Sequence, residues 1–427
     1  MNQEIMTPWW ESGDLKFAVG IEDTFVPQTR GLERSLDEYA LTQHYDHWET
    51  DIDLIVESGA TMVRWGVPWY KVNPQPNAWD WDWLDLVAQK FESSDITPII
   101  DLMHYGTPLW LTDEFLNPRY PEYVADYARN VAERYANRWN IYTPMNEPML
   151  NALYCGLYSY WPPYGEGDRD FVRVIRALQR GIVASQRAIR KVLAQKASFV
   201  HVEASFRFVA DSTEASAEVE FLRERAFLLE DLVTGAVTPA HPMYEYLLQN
   251  GFTLDDFAWA MENTAEPDVM GVNYYPAGQT EIVSLRNPHS GGPNDLRPRI
   301  NAWTEGLADV LKIFAARYRV PVFLTETSHV GTDDERMSWL NASVELVRNL
   351  RNEGLPIVGY TWWSLIDMIE WTYRYGDRPA GEYQLRMGLW SLRIDGTGDM
   401  QRLRTPLVNR FHELAMNHGS HPVGVPE

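Results

Sequence analysis

The chain has a single cysteine, Cys155, among 427 residues. That excludes an intrachain disulfide and any cluster of thiolate metal ligands. No apolar run approaches the roughly 18 residues that a membrane-spanning helix needs. The opening residues show neither the basic nor the apolar segment of a secretory leader, so a cytoplasmic protein is expected. Positive charge is scarce: 37 Lys and Arg stand against 60 Asp and Glu, a formal net charge of −23. Such a surface repels phosphate backbones and anionic lipid, so no nucleic acid and no membrane is expected as a partner. Charge of this size keeps a protein soluble and is compatible with a homo-oligomer. Low-complexity tracts and internal repeats are missing too.

Aromatic side chains are abundant, with 18 Trp and 22 Tyr. Their flat faces pack against the C–H faces of sugar rings, and Trp N–H and Tyr O–H groups can bond hydroxyls. Large aromatics also fill large cores. Many here fall at the ends of expected strands, which favours the sugar.

Short apolar runs alternate with longer amphipathic ones from end to end. Expected strands cover 16–19, 62–65, 97–102, 141–144, 199–203, 268–272, 321–324 and 357–361. Helical spacing fills much of the rest. Trp48, Ile52, Ile55 and Val56 share a face over 44–57, and Val124, Tyr127, Val131, Ala132 and Tyr135 share one over 123–139. The pattern returns over 171–193 and 338–351. Strand and helix alternating in this way give a parallel sheet wrapped in helices. Eight such units predict an α/β fold, a (β/α)8 TIM barrel with extended βα loops, as one catalytic domain over 1–427. The turn-rich stretches 284–298 and 372–385 read as long loops at the barrel mouth.

Catalytic groups in such a barrel gather where strands end. Those ends supply Glu22 and Asp23, Arg64, His104, Asn146 and Glu147, Glu203, Asn273 and Tyr275, Glu326, and Trp363. A purely structural barrel does not need so many ionisable groups on one rim. Glu147 and Glu326 are far apart in sequence, yet the barrel brings both to the same mouth. Two carboxyls across a pocket are what cleavage of a glycosidic bond requires. Other features have plainer readings. His44 and His47 lack the remainder of a metal signature and are expected to pack or cap. Cys155 reads as a packed thiol. Asp333, Asp334 and Glu335 suit the positive end of the helix they precede.

These motifs carry a family resemblance. Thr-Pro-Met-Asn-Glu-Pro at 143–148 resembles the acid/base motif of glycoside hydrolase family 1, where Thr-Leu-Asn-Glu-Pro is usual. Phe-Leu-Thr-Glu-Thr at 323–327 resembles its nucleophile motif, Ile-Thr-Glu-Asn-Gly. Gly-Val-Asn-Tyr-Tyr at 271–275 and Trp-Ser-Leu-Ile-Asp-Met-Ile-Glu-Trp at 363–371 are similar to two further family motifs. Arg64, followed by Trp69, matches the second βα unit. Order and approximate spacing agree from about residue 15 to 395.

The resemblance implies a retaining β-glycosidase acting on a small-molecule or oligosaccharide β-glycoside. It implies Glu326 as nucleophile and Glu147 as acid/base. Arg64 would keep Glu326 ionised and Tyr275 would donate to it. Asn146 would bond the sugar 2-hydroxyl. His104, Glu370 and Trp371 match positions that hold glycone hydroxyls, Asn273 joins the substrate-binding set, and Trp363 would lie under the ring. No metal or organic cofactor is implied. The chain also departs from the pattern. The family's glutamine after the first strand is missing, and Glu22, Asp23 or Gln28 is expected to stand in. Tyr105 replaces a usual tryptophan, Thr327-Ser328 replaces Asn-Gly, and Glu203 matches no family role. Two rival readings are a 6-phospho-β-glycosidase, disfavoured by Glu370, and a non-catalytic or transglycosylating sugar-binding barrel.

Overall fold

A computed structural model describes residues 8–417. Eight parallel strands close into a barrel. In chain order they are β1 (Lys16–Gly20), β2 (Met62–Gly66), β3 (Thr97–Asp101), β4 (Ile141–Thr143), β5 (Ser198–Ala204), β6 (Val269–Asn273), β7 (Val322–Thr327) and β8 (Ile357–Trp362). Each pairs with its neighbour in sequence, and β8 closes on β1 with Lys16 opposite Gly359. All eight lie where the apolar runs place them, because side chains alternate between two buried faces. Ala18, Met62, Ile99, Ile141, Val200, Val269, Phe323 and Val358 form a separate apolar cluster with a member from every strand, the filling of the barrel's interior. Trp9 and Trp10 pack against that cluster.

Helices cover the outside. His44–Ser58 buries Ile52 and Ile55, whereas Val56, expected on that face, is half exposed. Tyr120–Arg134 stops short of the expected 139, and Tyr135 and Trp139 are buried in the turn beyond it. Asp333–Asn352 opens with a reciprocal cap between Thr332 and Glu335, so the acidic run sits in the first turn. His44 bonds Asp51 at 2.8 Å, His47 lies 2.7 Å from Asp399, and Cys155 is buried against Asn151. Each thus has a packing role. Among the described residues, no helix is long and apolar enough to cross a membrane.

The loops at the C-terminal ends of the strands build the mouth. The stretch expected as a bare loop after β6 is flanked by Thr280–Val283 and Arg299–Ile300, which join Arg207–Ala210 in a small sheet over the barrel. The loop after β8 is tied down by Asp367. Its carboxylate accepts from the backbone amides of Met387 (3.0 Å), Gly388 (2.8 Å) and Leu392 (3.1 Å). Buried Arg374 joins this loop to the one after β1 through the carbonyls of Val26, Gln28 and Arg34. These bonds fix the segment that presents Glu370 and Trp371.

Candidate active site

Glu326 is the fifth residue of β7 and lies deep in the mouth. One carboxylate oxygen accepts from the guanidinium of Arg64 on β2. The other accepts from Tyr275 Oη at 2.6 Å. Arg64 is fully buried and also bonds Asp101 and Asn146. Removing one partner of a buried ion pair commonly costs about 3–5 kcal/mol, so Arg64 is structural as well as electrostatic.

Glu147 faces the same cleft from the loop after β4. Its backbone is left-handed, φ 40° and ψ 55°. Neighbours hold it there. The Glu147 amide donates to Val202 O at 2.9 Å, and Pro148 then starts a helix. Asn273 Nδ2 donates to Glu147 Oε1 at 2.9 Å and Tyr105 Oη to Oε2 at 2.5 Å. Asn146 connects the two acids. Its Oδ1 accepts from Arg64, and its Nδ2 reaches Tyr105 Oη at 2.9 Å and His104 Nε2 at 2.8 Å.

Burial pushes both carboxyls above the ordinary glutamate range. The Arg64 guanidinium opposes this at both, and the Glu147 carboxylate raises Glu326 further. A direct guanidinium bond reaches Glu326, whereas the partners of Glu147 are neutral.

The cleft has a volume of about 520 Å³, and its lining includes Glu22, His104, Glu147, Tyr275, Glu326, Glu370 and Trp371. Asp23, Arg64, Asn146, Asn273 and Trp363 are fully buried below that surface. This corrects the expectation for three sugar contacts. Asp23 supports His104, whose Nδ1 lies 2.6 Å from its carboxylate. Asn273 is engaged by Glu147 and Thr325. Trp363 keeps no face open to solvent: its indole donates to Glu22 Oε2 at 2.7 Å, and the Arg64 guanidinium lies 4.8 Å from the ring centre. Two glycines permit this layering. A Cβ on Gly20 would stand 2.0 Å from the Trp363 ring, and one on Gly66 2.0 Å from Asp23 Oδ2. Asn146, expected to grip a sugar hydroxyl, has both ends of its amide engaged by protein.

Of the candidates to replace the missing glutamine, Glu22 alone reaches the cleft. Thr24 fixes its Oε1 through the backbone amide (3.2 Å) and hydroxyl (2.6 Å). Gln28 instead turns away to Thr107. Glu203, without an expected role, is buried under the acid/base loop and accepts from the Met149 amide at 3.3 Å. Burial and the nearby Glu230 push its proton affinity up. It caps the short helix that follows Glu147. Sequence reasoning did not give Tyr105 or Asp101 a role. Tyr105 takes a φ of +84°, a conformation that a tyrosine does not advertise in sequence.

A family model, glycosyl hydrolase family 1, matches residues 14–383. The chain belongs to glycosyl hydrolase family 1. As a family 1 glycoside hydrolase it is divergent. Beta-glucosidase A of Thermotoga maritima is 26% identical over 366 residues, covering 78% of this chain and 80% of that protein. The aryl-phospho-beta-D-glucosidase BglA of Bacillus subtilis is 23% identical over 421 residues, covering 88% and 86%. A family 1 b-glucosidase from Thermotoga maritima has the same fold, with a TM-score of 0.78 at 20% identity over 96% of this chain and 99% of that one. These likenesses bear out the resemblance and the (β/α)8 barrel.

Proposed function

We propose that this family 1 enzyme is an exo-acting retaining β-glycosidase with Glu326 as nucleophile and Glu147 as acid/base, taking a neutral glycone of the β-glucoside or β-galactoside type. The observation that carries this reading is the asymmetry of the two acids. Both face one cleft, but only Glu326 is held by the Arg64 guanidinium and by Tyr275. Glu326 attacks the anomeric carbon while Glu147 passes its proton to the departing oxygen. Glu147 then takes a proton from water as that water displaces Glu326. Each displacement inverts the anomeric centre, so two retain it. Asn146, Asn273 and Tyr105 hold Glu147 and Arg64 in place and act as positioning residues.

Glycone charge follows from the lining. Glu22 and Glu370 place carboxylates in the cleft, and the arginine on its wall, Arg299, pairs with Glu281 at 3.5 Å. A sugar phosphate would meet two acids and no uncommitted arginine. Nitrophenyl β-glucoside and β-galactoside are expected to be cleaved, with kcat/KM at least about 100-fold above that of the 6-phosphorylated β-glucoside, a difference near 3 kcal/mol. The α-anomers should be inert. Faster cleavage of the 6-phosphate would overturn the neutral glycone. Inertness of every β-glycoside would overturn the glycosidase reading.

A further inference from the structure

The helix Ser216–Val233 buries Leu222, Leu228 and Leu229 along one face. Arg225 stands three residues from Leu222 and three from Leu228, on that same face. It is 9% exposed. A guanidinium keeps its charge across the pH range of a folded protein, so it cannot escape burial by losing a proton. A buried charge is ordinarily paired. Among the described residues, Arg225 has no ion pair and no hydrogen bond. Its guanidinium lies 5.5 Å from the ring centre of Phe221 and 5.9 Å from that of Phe171, near the outer limit of a cation–π contact. Asp168 and Arg225 both act on Tyr246, but Asp168 is exposed and accepts from the tyrosine hydroxyl at 2.7 Å.

Arg225 lines a cavity of about 20 Å³. Met149, Leu153, Phe206, Phe208 and Leu222 give that cavity chiefly apolar walls. Glu281 is the one acid in the lining, and its carboxylate is already taken. It accepts from Arg297 at 3.0 Å and from Arg299 at 3.5 Å. Around this cavity three arginines thus stand against one carboxylate, in a chain whose net charge is −23. The cavity is separate from the catalytic cleft and shares only Phe206 and Glu281 with its wall.

We propose that Arg225 and the apolar walls around it form a binding site for a small, weakly hydrated monovalent anion of the halide class. The arginine supplies the charge that holds the ion. The volume is little more than a single water needs, which shuts out sulfate, phosphate and any sugar. Walls that offer few hydrogen bonds make the ion give up its water, so the order of affinity is bromide over chloride over fluoride. Met149 and Leu153 belong to the segment that follows Glu147. A bound anion fills the space between that segment and the helix Ser216–Val233, and it neutralises Arg225. The site takes no part in the chemistry above, and its test needs no substrate.

That test is thermal unfolding of the full chain in sodium gluconate, replaced stepwise by sodium bromide, chloride or fluoride at constant ionic strength. Gluconate is too large for the cavity. Mass action on a site present only in the folded chain should raise Tm by about 2 °C and then saturate. Bromide should act at lower concentration than chloride, and fluoride should have no effect. A general salt effect has the opposite order, since strongly hydrated anions are the ones that stabilise. Arg225→Met keeps an apolar stem without the charge and should lose the gain. A wild-type Tm that does not respond to bromide, or a gain of the same size in the variant, overturns the proposal. Wild-type crystals soaked in bromide give a second reading that does not depend on how the variant folds. An anomalous peak against the Arg225 guanidinium is expected, and a cavity without one overturns the proposal.

Discussion

Replacing Glu326 by glycine is expected to cut turnover of an aryl β-glycoside by at least about 10⁴-fold, the scale on which a group essential to covalent catalysis is felt. Sodium azide is expected to restore much of it. The truncation leaves a space beside the Arg64 guanidinium and Tyr275 Oη, the two donors that held the carboxylate. A small anion can occupy that space and attack the anomeric carbon from the face where Glu326 stood. The aryl alcohol departs and an α-glycosyl azide forms. Glu147 remains to protonate the leaving oxygen, and only one displacement occurs, so the product is inverted. Azide should leave the wild-type product unchanged. Failure of azide, and also of formate, to revive the variant would remove Glu326 from the nucleophile's role.

Loss of Glu147 should divide substrates by their leaving groups. In Glu147→Gln, the contacts from Tyr105 and Asn273 have an isosteric partner, so loss of the ionisable group is separated from loss of structure. General acid catalysis supplies roughly 10²–10⁴-fold. A phenyl or alkyl β-glycoside should lose that much in kcat/KM. A dinitrophenyl β-glycoside, whose leaving group departs without a proton, should lose less than about 10-fold. The pH profile should change with it. Burial holds the Glu147 carboxyl above the ordinary glutamate range, and the acid works only while protonated. Wild-type kcat/KM on poor leaving groups should therefore fall as pH rises through that raised value. The variant has nothing to titrate there and should lose the basic limb. Equal losses on both substrates, with the limb intact, would assign the proton to another group.

The barrel was largely legible in the sequence because its signals are local. Each strand is a short apolar run buried on both faces, and all eight appear within three residues of the expected bounds. Glu147, Glu326, Arg64 and Tyr275 were legible as members of ordered motifs. Depth was harder to read. Whether Trp363 lies open under a sugar or sealed below Glu22 depends on Gly20 and Arg64, which approach it from other strands. Asp23 and Asn273 were displaced from the expected sugar contacts for the same reason: each is engaged by a neighbour that only the closed barrel supplies. Tyr105 supports Glu147 through a backbone conformation that its residue type does not favour. The sheet formed by Arg207–Ala210, Thr280–Val283 and Arg299–Ile300 escaped because its members are short and far apart along the chain.

Double displacement by two acids across one cleft is tested most directly by the stereochemistry of the first product. Hydrolysis of a nitrophenyl β-glucoside, followed by proton NMR from the first minutes, should show the β-anomer of the free sugar before mutarotation brings in the α-anomer. Initial appearance of the α-anomer would mean a single displacement by water, and the roles of Glu326 and Glu147 derived above would be wrong.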